Sequence, residues 1–454
     1  MTFDLLIRAA RAVTGDAAAP EQPLAVGVTD GRIAAVEPLP GRGFAGRDEL
    51  ELGADVVLLP GLVDSHVHVC EPGHTEWEGF ASATRAAAAG GITTLVDMPL
   101  DSVPVTVTAD ALDTKRRAAR GQCHVDLAFW GGVIPGHARD IEPLAHAGVT
   151  GFKCFLADSG SPDFPPVDPG ELTGALHVLA GLGLPLLVHA ESAGSAAAAA
   201  IVPAAGRRYA DYLASRPRGL ENLAVAQVIE AARVTGGYAH IVHLSSSDAL
   251  PMIASARREG VRITAETCPH YLTLTAEEIG DGETAAKCSP PVREAANREL
   301  LWAGLREEIL GMVVSDHSPC TEQMKEPGTG DFGSAWGGIS SLQLGLPLVW
   351  TQAHARGIRL AQVAAWMSAA PARLAGLTAK GRVAAGYDAD FCVLAPDESF
   401  LVDPGQLHHK HPGTTPYAGR RLHGVVRLTL LRGQAIDPGR PRGRLLSRAD
   451  RRIR

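Results

Sequence analysis

The chain has 454 residues, 42 basic against 50 acidic side chains, a formal net charge of −8, and 46% hydrophobic but only 5% aromatic residues. That balance describes a soluble globular protein with room for a large core, and it leaves no electrostatic footprint for nucleic acid or an anionic membrane surface. No apolar run approaches the roughly 18 residues of a membrane span, and seven scattered cysteines without a CxxC pair, behind a start that lacks a signal core, predict free thiols in a reducing cytoplasm.

The first 58 residues read as short strands punctuated by turns. A strand at 33–36 follows Asp30-Gly31, a strong hairpin signal, and the apolar run 56–59 stops at Pro60-Gly61. A different rhythm then begins. Apolar, β-branched runs recur at 62–69, 92–98, 125–133, 149–156, 185–189, 240–244, 261–266 and 312–315. Between most of them lie stretches with helical spacing, such as 81–89, 171–182 and 248–259. Apolar strands alternating with helices predict a parallel sheet buried on both faces, and eight such units predict a (β/α)8 TIM-type barrel. Segments 191–238 and 267–311 carry extra structure, and the alanine run 196–200 reads as one helix face. The strand texture of the start returns at 391–394 and 425–431. This predicts a small β-sandwich domain built from 1–58 and 384–454, around a barrel of 59–383.

In such a barrel the active site sits at the C-terminal ends of the strands. His66 and His68 end the first strand and, being two apart, share one of its faces. Lys153 lies on the fourth strand, His189 ends the fifth, His243 the sixth and Asp316 the eighth. A lone histidine ending an apolar strand is ordinarily a hydrogen-bonded core residue. Six polar groups on one rim need a common partner, because buried polar groups must be satisfied. Imidazoles with a few oxygens suit zinc or a similar divalent ion. Lysine is the odd member, since an ammonium cannot ligate. A buried amine that has lost its proton can take up carbon dioxide, and the carbamate has two oxygens, enough to bridge two metals. Residue types alone leave that step open.

The segment 60–68, Pro-Gly-Leu-Val-Asp-Ser-His-Val-His, resembles the opening signature of the amidohydrolase superfamily, in its dihydroorotase/hydantoinase/allantoinase branch. The resemblance covers essentially the whole chain. It runs through Gly151-Phe152-Lys153, Ser215-Arg216-Pro217, Cys268-Pro269-His270-Tyr271 and Ser315-Asp316-His317-Ser318-Pro319 to Lys380-Gly381-Arg382 and Asp388-Ala389-Asp390. It implies that Lys153 is N6-carboxylated and bridges two divalent ions, zinc first, with manganese or cobalt as further options. His66, His68 and Asp316 would also hold one ion, His189 and His243 the other. A hydroxide between them would attack a ring carbonyl carbon, with Asp316 the catalytic residue that carries the proton to the leaving nitrogen. The resemblance also implies a homotetramer.

Dihydroorotases of this branch usually follow the His-x-His pair with an arginine for the substrate carboxylate; Cys70 stands there here. Hydantoinases usually carry a tyrosine five residues beyond the lysine; here it is Asp158. The stretches Glu71-Pro72-Gly73-His74, Lys287-Cys288-Ser289-Pro290-Pro291 and Ser334-Ala335-Trp336-Gly337-Gly338 look like those of allantoinases. This implies hydrolysis of the hydantoin ring of (S)-allantoin to allantoate, in purine-ureide degradation. Ser289 and the backbone around Gly337 would hydrogen-bond the ring, and Asp158 is compatible with the ureido arm. The alternatives are a hydantoinase or dihydropyrimidinase acting on other cyclic amides, and a non-catalytic dihydropyrimidinase-like scaffold.

Several residues carry bland readings beside functional ones. Cys154 either packs or edges the substrate pocket, and His270 either orients a ligand or serves its loop. Asp64 and His317 read as supporting groups, and Glu266 as support or core. His408-His409-Lys410-His411 reads as a solvated surface loop rather than a metal site, and the arginine-rich 440–454 as a solvated tail.

Overall fold

The computed structural model describes residues 1–192 and 206–448; the alanine run 196–200 lies outside the described residues. Five strands come first: β1 (Thr2–Ala12), β2 (Gln22–Thr29), β3 (Arg32–Pro38), β4 (Ala45–Leu52) and β5 (Val57–Pro60). Asp30 and Gly31 join β2 to β3 in an antiparallel hairpin, both at positive φ (52° and 73°), which is the backbone a two-residue turn needs.

The barrel strands follow. They are β6 (Leu62–Val67), β7 (Ile92–Asp97), β8 (Asp126–Phe129), β9 (Gly131–Gly132), β10 (Phe152–Phe155), β11 (Pro185–His189), β12 (Tyr238–Ile241), β13 (Ile263–Thr267) and β14 (Met312–Val313). Every pairing among them is parallel and in chain order. β8 and β9 are one strand interrupted at Trp130, so eight staves form the ring. It closes where Val67 bridges His317 and the His68 N–H donates to the His317 carbonyl at 2.8 Å. Strands β6 to β11 are buried at every residue, because helices cover the outside while side chains fill the inside. The helices obey local rules. The one at Pro169–Leu182 begins with a reciprocal Asp168/Glu171 cap, has proline at its first position, and ends at Gly183 with φ 65°.

After the barrel, β15 (Phe391–Leu401), β16 (Arg421–Leu431) and β17 (Gln434–Ala435) rejoin the first sheet. Its order is β17-β16-β15-β5-β1-β2-β3, with β4 alongside β1. Both ends of the chain thus build the β-sandwich. Ile7, Val26, Leu58 and Phe391 fill its larger core, while Phe3, Leu6 and Ala25 pack on the other face of β1.

Two expectations about the surface are corrected. His409 is only 4% exposed. The next residue, Lys410, donates its N–H to Glu78 at 3.3 Å and its ammonium to the Thr75 carbonyl, and His411 bonds the Glu76 carbonyl at 2.7 Å. The loop between β15 and β16 is therefore docked on the barrel mouth, by acceptors more than 300 residues away in sequence. The described part of the arginine-rich tail is docked too. Gly443 N–H donates to the Cys123 carbonyl at 2.8 Å, and Leu446 N–H to the Leu127 carbonyl at 2.7 Å, alongside β8. Backbone bonds, which composition does not reveal, decide its place. No helix among the described residues is long and apolar enough to cross a membrane.

Candidate active site

Parallel strands deliver the six candidate residues to one end of the barrel, where His66, His68, Lys153, His189, His243 and Asp316 all line a cavity of about 330 Å³. His66 Nε2 lies 3.1 Å and His68 Nε2 3.6 Å from Asp316 Oδ1. His189 Nδ1 faces His243 Nε2 at 2.9 Å. Lys153, fully buried, has no hydrogen-bond partner for its Nζ among the described residues and stands 4.9 Å over the Phe155 ring. Asp101, His243 and Asp316 hold positive φ, at 57°, 39° and 45°. Non-glycine residues pay about 1–3 kcal/mol for such backbone, and it clusters at functional sites.

Carboxylates behind the rings fix how these imidazoles point. His66 Nδ1 is 2.5 Å from Glu266, which also takes His240 Nε2 at 2.9 Å. His68 Nδ1 is 2.7 Å from Asp101. His189 Nε2 is 2.9 Å from Glu191, which Arg216 holds at 2.8 Å. At His66 and His189 the ring nitrogen bonded to the carboxylate carries the proton, so the opposite nitrogen is left as a lone pair aimed inward, while His68 is ion-paired with Asp101. Asp64 accepts from the N–H groups of His66 and Ser315 at 3.1 Å each, which ties the first stave to the last. His317 Nδ1 accepts from the Ser341 N–H at 3.2 Å, so its Nε2 is the donor to Glu78, also at 3.2 Å. His270 is buried with neither ring nitrogen bonded among the described residues; it and Cys268 lie behind Asp316, with ligand atoms within 4.8 Å of one another.

Carboxylates and cations set one another's charge across the cavity. Burial would raise the Glu266 and Glu191 carboxyls, yet His66 beside the first and Arg216 beside the second hold each down to about 2. Burial opposes charge on His68, but Asp101 and Asp316 push it up to about 9. Asp316 stays ionised well below the usual carboxylate range, because the histidines around it outweigh its burial. Burial pushes Lys153 down to about 8. Imidazole nitrogens and an ionised carboxylate are donors that suit divalent cations, and His66, His68 and Asp316 lie close enough together to hold one, with His189 and His243 across the same cavity.

Of the expected substrate contacts, Asp158, Ser289 and Gly337 line the cavity. Ser289 Oγ is 3.0 Å from Tyr212 Oη. Cys154 is corrected: it is fully buried in the apolar core and does not line the cavity, because successive residues of β10 face opposite ways. Cys70 is buried beside His68, its Sγ 3.6 Å from the His68 carbonyl. Sequence reading missed Asp101, Arg216 and Lys287, which also line the cavity. The last two sat inside the quoted family stretches, and Asp101 directly follows an apolar run that ends a strand.

Residues 57–436 match the model of the Amidohydrolase family. The chain is 53% identical over 449 residues to an allantoinase of Streptomyces avermitilis, covering 98% of this chain and 99% of that one. It is 46% identical to an allantoinase of Arabidopsis thaliana, covering 84% and 78%. Among solved structures, the L-hydantoinase (dihydropyrimidinase) from Arthrobacter aurescens superposes with a TM-score of 0.89 at 31% identity, covering 98% and 97%. By its family match and these relatives, the chain belongs to the amidohydrolase family, on its allantoinase branch.

Proposed function

We propose that this chain is a metal-dependent cyclic amidohydrolase that acts as an allantoinase, opening the hydantoin ring of (S)-allantoin to allantoate in purine-ureide degradation. The observation that carries this reading is a single small cavity that joins the His/Lys/Asp cluster to a polar rim at Asp158, Ser289 and Gly337. Identity of 53% to an allantoinase along nearly the full chain supports the choice of ring.

In this reading His66, His68 and Asp316 would hold one divalent ion and His189 and His243 a second, and Lys153, as its carbamate, would supply oxygens to both. Zinc suits the donors, with manganese or cobalt as alternatives. The carbamate forms when the neutral Lys153 amine adds to carbon dioxide: an N–C bond is made and one proton leaves to solvent. When bound, the ions supply Lewis acidity toward the ring carbonyl and a nucleophile at neutral pH. Asp316 accepts the proton of the attacking water and returns it to the ring nitrogen as the C–N bond breaks. Glu266 and Glu191 keep the His66 and His189 rings in fixed tautomers, and Asp101 pairs with His68. Ser289 and the Gly337 backbone hydrogen-bond the ring, whose ureide edge offers paired donors and acceptors.

We assign residues 1–58 and 384–454 to the small domain and 59–383 to the barrel. Seven free, buried cysteines support a reducing cytoplasm, and the family resemblance supports a homotetramer. The test is a panel of allantoin, hydantoin and dihydrouracil on metal-replete enzyme. Allantoin should be turned over fastest, and faster turnover of dihydrouracil would overturn the reading in favour of a dihydropyrimidinase.

A further inference from the structure

Two cations, Lys287 and Arg216, stand on the cavity wall with Ser289 and Gly337. Lys287 is only 8% exposed. Its ammonium donates to the Ala335 carbonyl at 2.5 Å and, weakly, to that of Gly333 at 3.4 Å, and it lies 5.2 Å over the Tyr212 ring. No carboxylate forms an ion pair with it among the described residues, and the two carbonyls use two of its three N–H groups. Its place is close to the expected ring contacts: a Cβ built on Gly337 would lie 3.1 Å from Ser289 Oγ and 4.0 Å from Lys287 Cε. Arg216 commits one guanidinium nitrogen to Glu191 at 2.8 Å and keeps further N–H groups, with 36% of its side chain exposed. A buried ammonium beside a second cation is costly unless an electron-rich group meets it.

We propose that Lys287, with Arg216 beside it, forms a subsite for the ureido arm of allantoin and takes that arm's carbonyl oxygen. The proposal rests on the allantoinase reading and deepens it. The arm is what allantoin has and plain hydantoin lacks, and ring opening leaves it intact, so the subsite holds substrate and product alike. A urea oxygen is neutral but strongly polarised, and it accepts two charge-assisted hydrogen bonds at once. A site built around such donors discriminates against ligands that leave them unpaired.

Two open-chain acids isolate the arm: allantoate carries two ureido groups and N-carbamoylglycine one. In calorimetric titrations of the metal-loaded, full-length enzyme, Lys287→Met should weaken allantoate binding by about 10- to 100-fold and N-carbamoylglycine by less than about threefold. Lys287→Arg should restore part of the difference, and Lys287→Gln, which keeps a donor for the Ala335 carbonyl, replaces the methionine variant if that one does not fold. Equal weakening of both acids would overturn the subsite and leave Lys287 only as a tether of the 333–337 loop. Unchanged allantoate binding would overturn it as well. Wild-type enzyme unable to hydrolyse allantoin would instead overturn the allantoinase reading itself.

Discussion

Each of three imidazoles in the cavity has a carboxylate behind it, and removing one should be felt at the centre rather than locally. Glu266 bonds both His66 and His240. Glu266→Gln keeps the volume but loses the charge that sets the His66 proton, so metal affinity should fall about 10- to 100-fold. Competition against a chelator measures it, and wild-type affinity in the variant would sink the orienting role. Lys153→Ala goes further. If the lysine bridges as its carbamate, both metals and turnover should be lost, with partial recovery in small carboxylic acids plus bicarbonate; metal analysis and assay of one sample decide it, and full activity without additive would refute the bridge. The six candidate ligands were legible in the sequence because each ends or sits on an apolar run, where a polar residue stands out. Of their carboxylate partners, Asp101 and Glu191 were not, and Glu266 was legible only as support or core. Glu266 is 200 residues from His66, and only the ring closure of the strands brings them together.

The strands were legible for the same reason that they are buried: parallel staves covered on both faces show continuous apolar runs instead of alternation. The tail was not. Its arginine-rich composition suggests solvation, yet Arg448 donates to the Thr150 and Gly183 carbonyls, and Gly443 lies so close to β8 that a Cβ there would be 1.9 Å from the Val125 carbonyl oxygen. Gly443→Ala should therefore lift the tail off the barrel, at about 1–3 kcal/mol of stability. The expected sign is faster hydrogen exchange at the Leu127 amide, which now donates to the Arg444 carbonyl at 2.9 Å. Protection equal to wild type would mean the backbone can yield without losing the contact. The loop between β15 and β16 teaches the same lesson: its histidines looked solvated, but His409 accepts from the Gln343 N–H and His411 bonds the Glu76 carbonyl.

At the scale of the molecule, barrel, β-sandwich and tail meet at one buried charge network. Lys380 bonds Asp126 at the start of β8 at 2.6 Å, Asp390 just before β15 at 2.7 Å, and Asp388 at 3.0 Å. Arg432, after β16, also bonds Asp126, at 2.6 Å, and the Arg444 N–H of the tail reaches the same carboxylate at 2.8 Å. Burial works against charge on Lys380, but the three aspartates raise it well above its ordinary value, so its contribution is fully present below about pH 10.4 and fades only in strong alkali. Asp126 runs the other way: burial would raise it, yet Lys380 and Arg432 depress it, so its contribution is present above about pH 3.9 and is lost in acid. Asp390 is the liability, raised chiefly by burial and restrained by Lys380. A carboxyl whose folded pKa is raised destabilises the fold above its unfolded pKa and is relieved as it protonates. Lys380→Met should therefore lose about 3–5 kcal/mol near pH 7, the usual consequence of stranding a buried charge. The deficit relative to wild type should be smaller at a lower pH, where Asp390, raised by its burial, takes up a proton and no longer needs its partner. Urea unfolding of both proteins at the two pH values checks this. A deficit that does not change with pH would assign the loss to packing of the lysine stem, and the junction would then be held by shape rather than by charge.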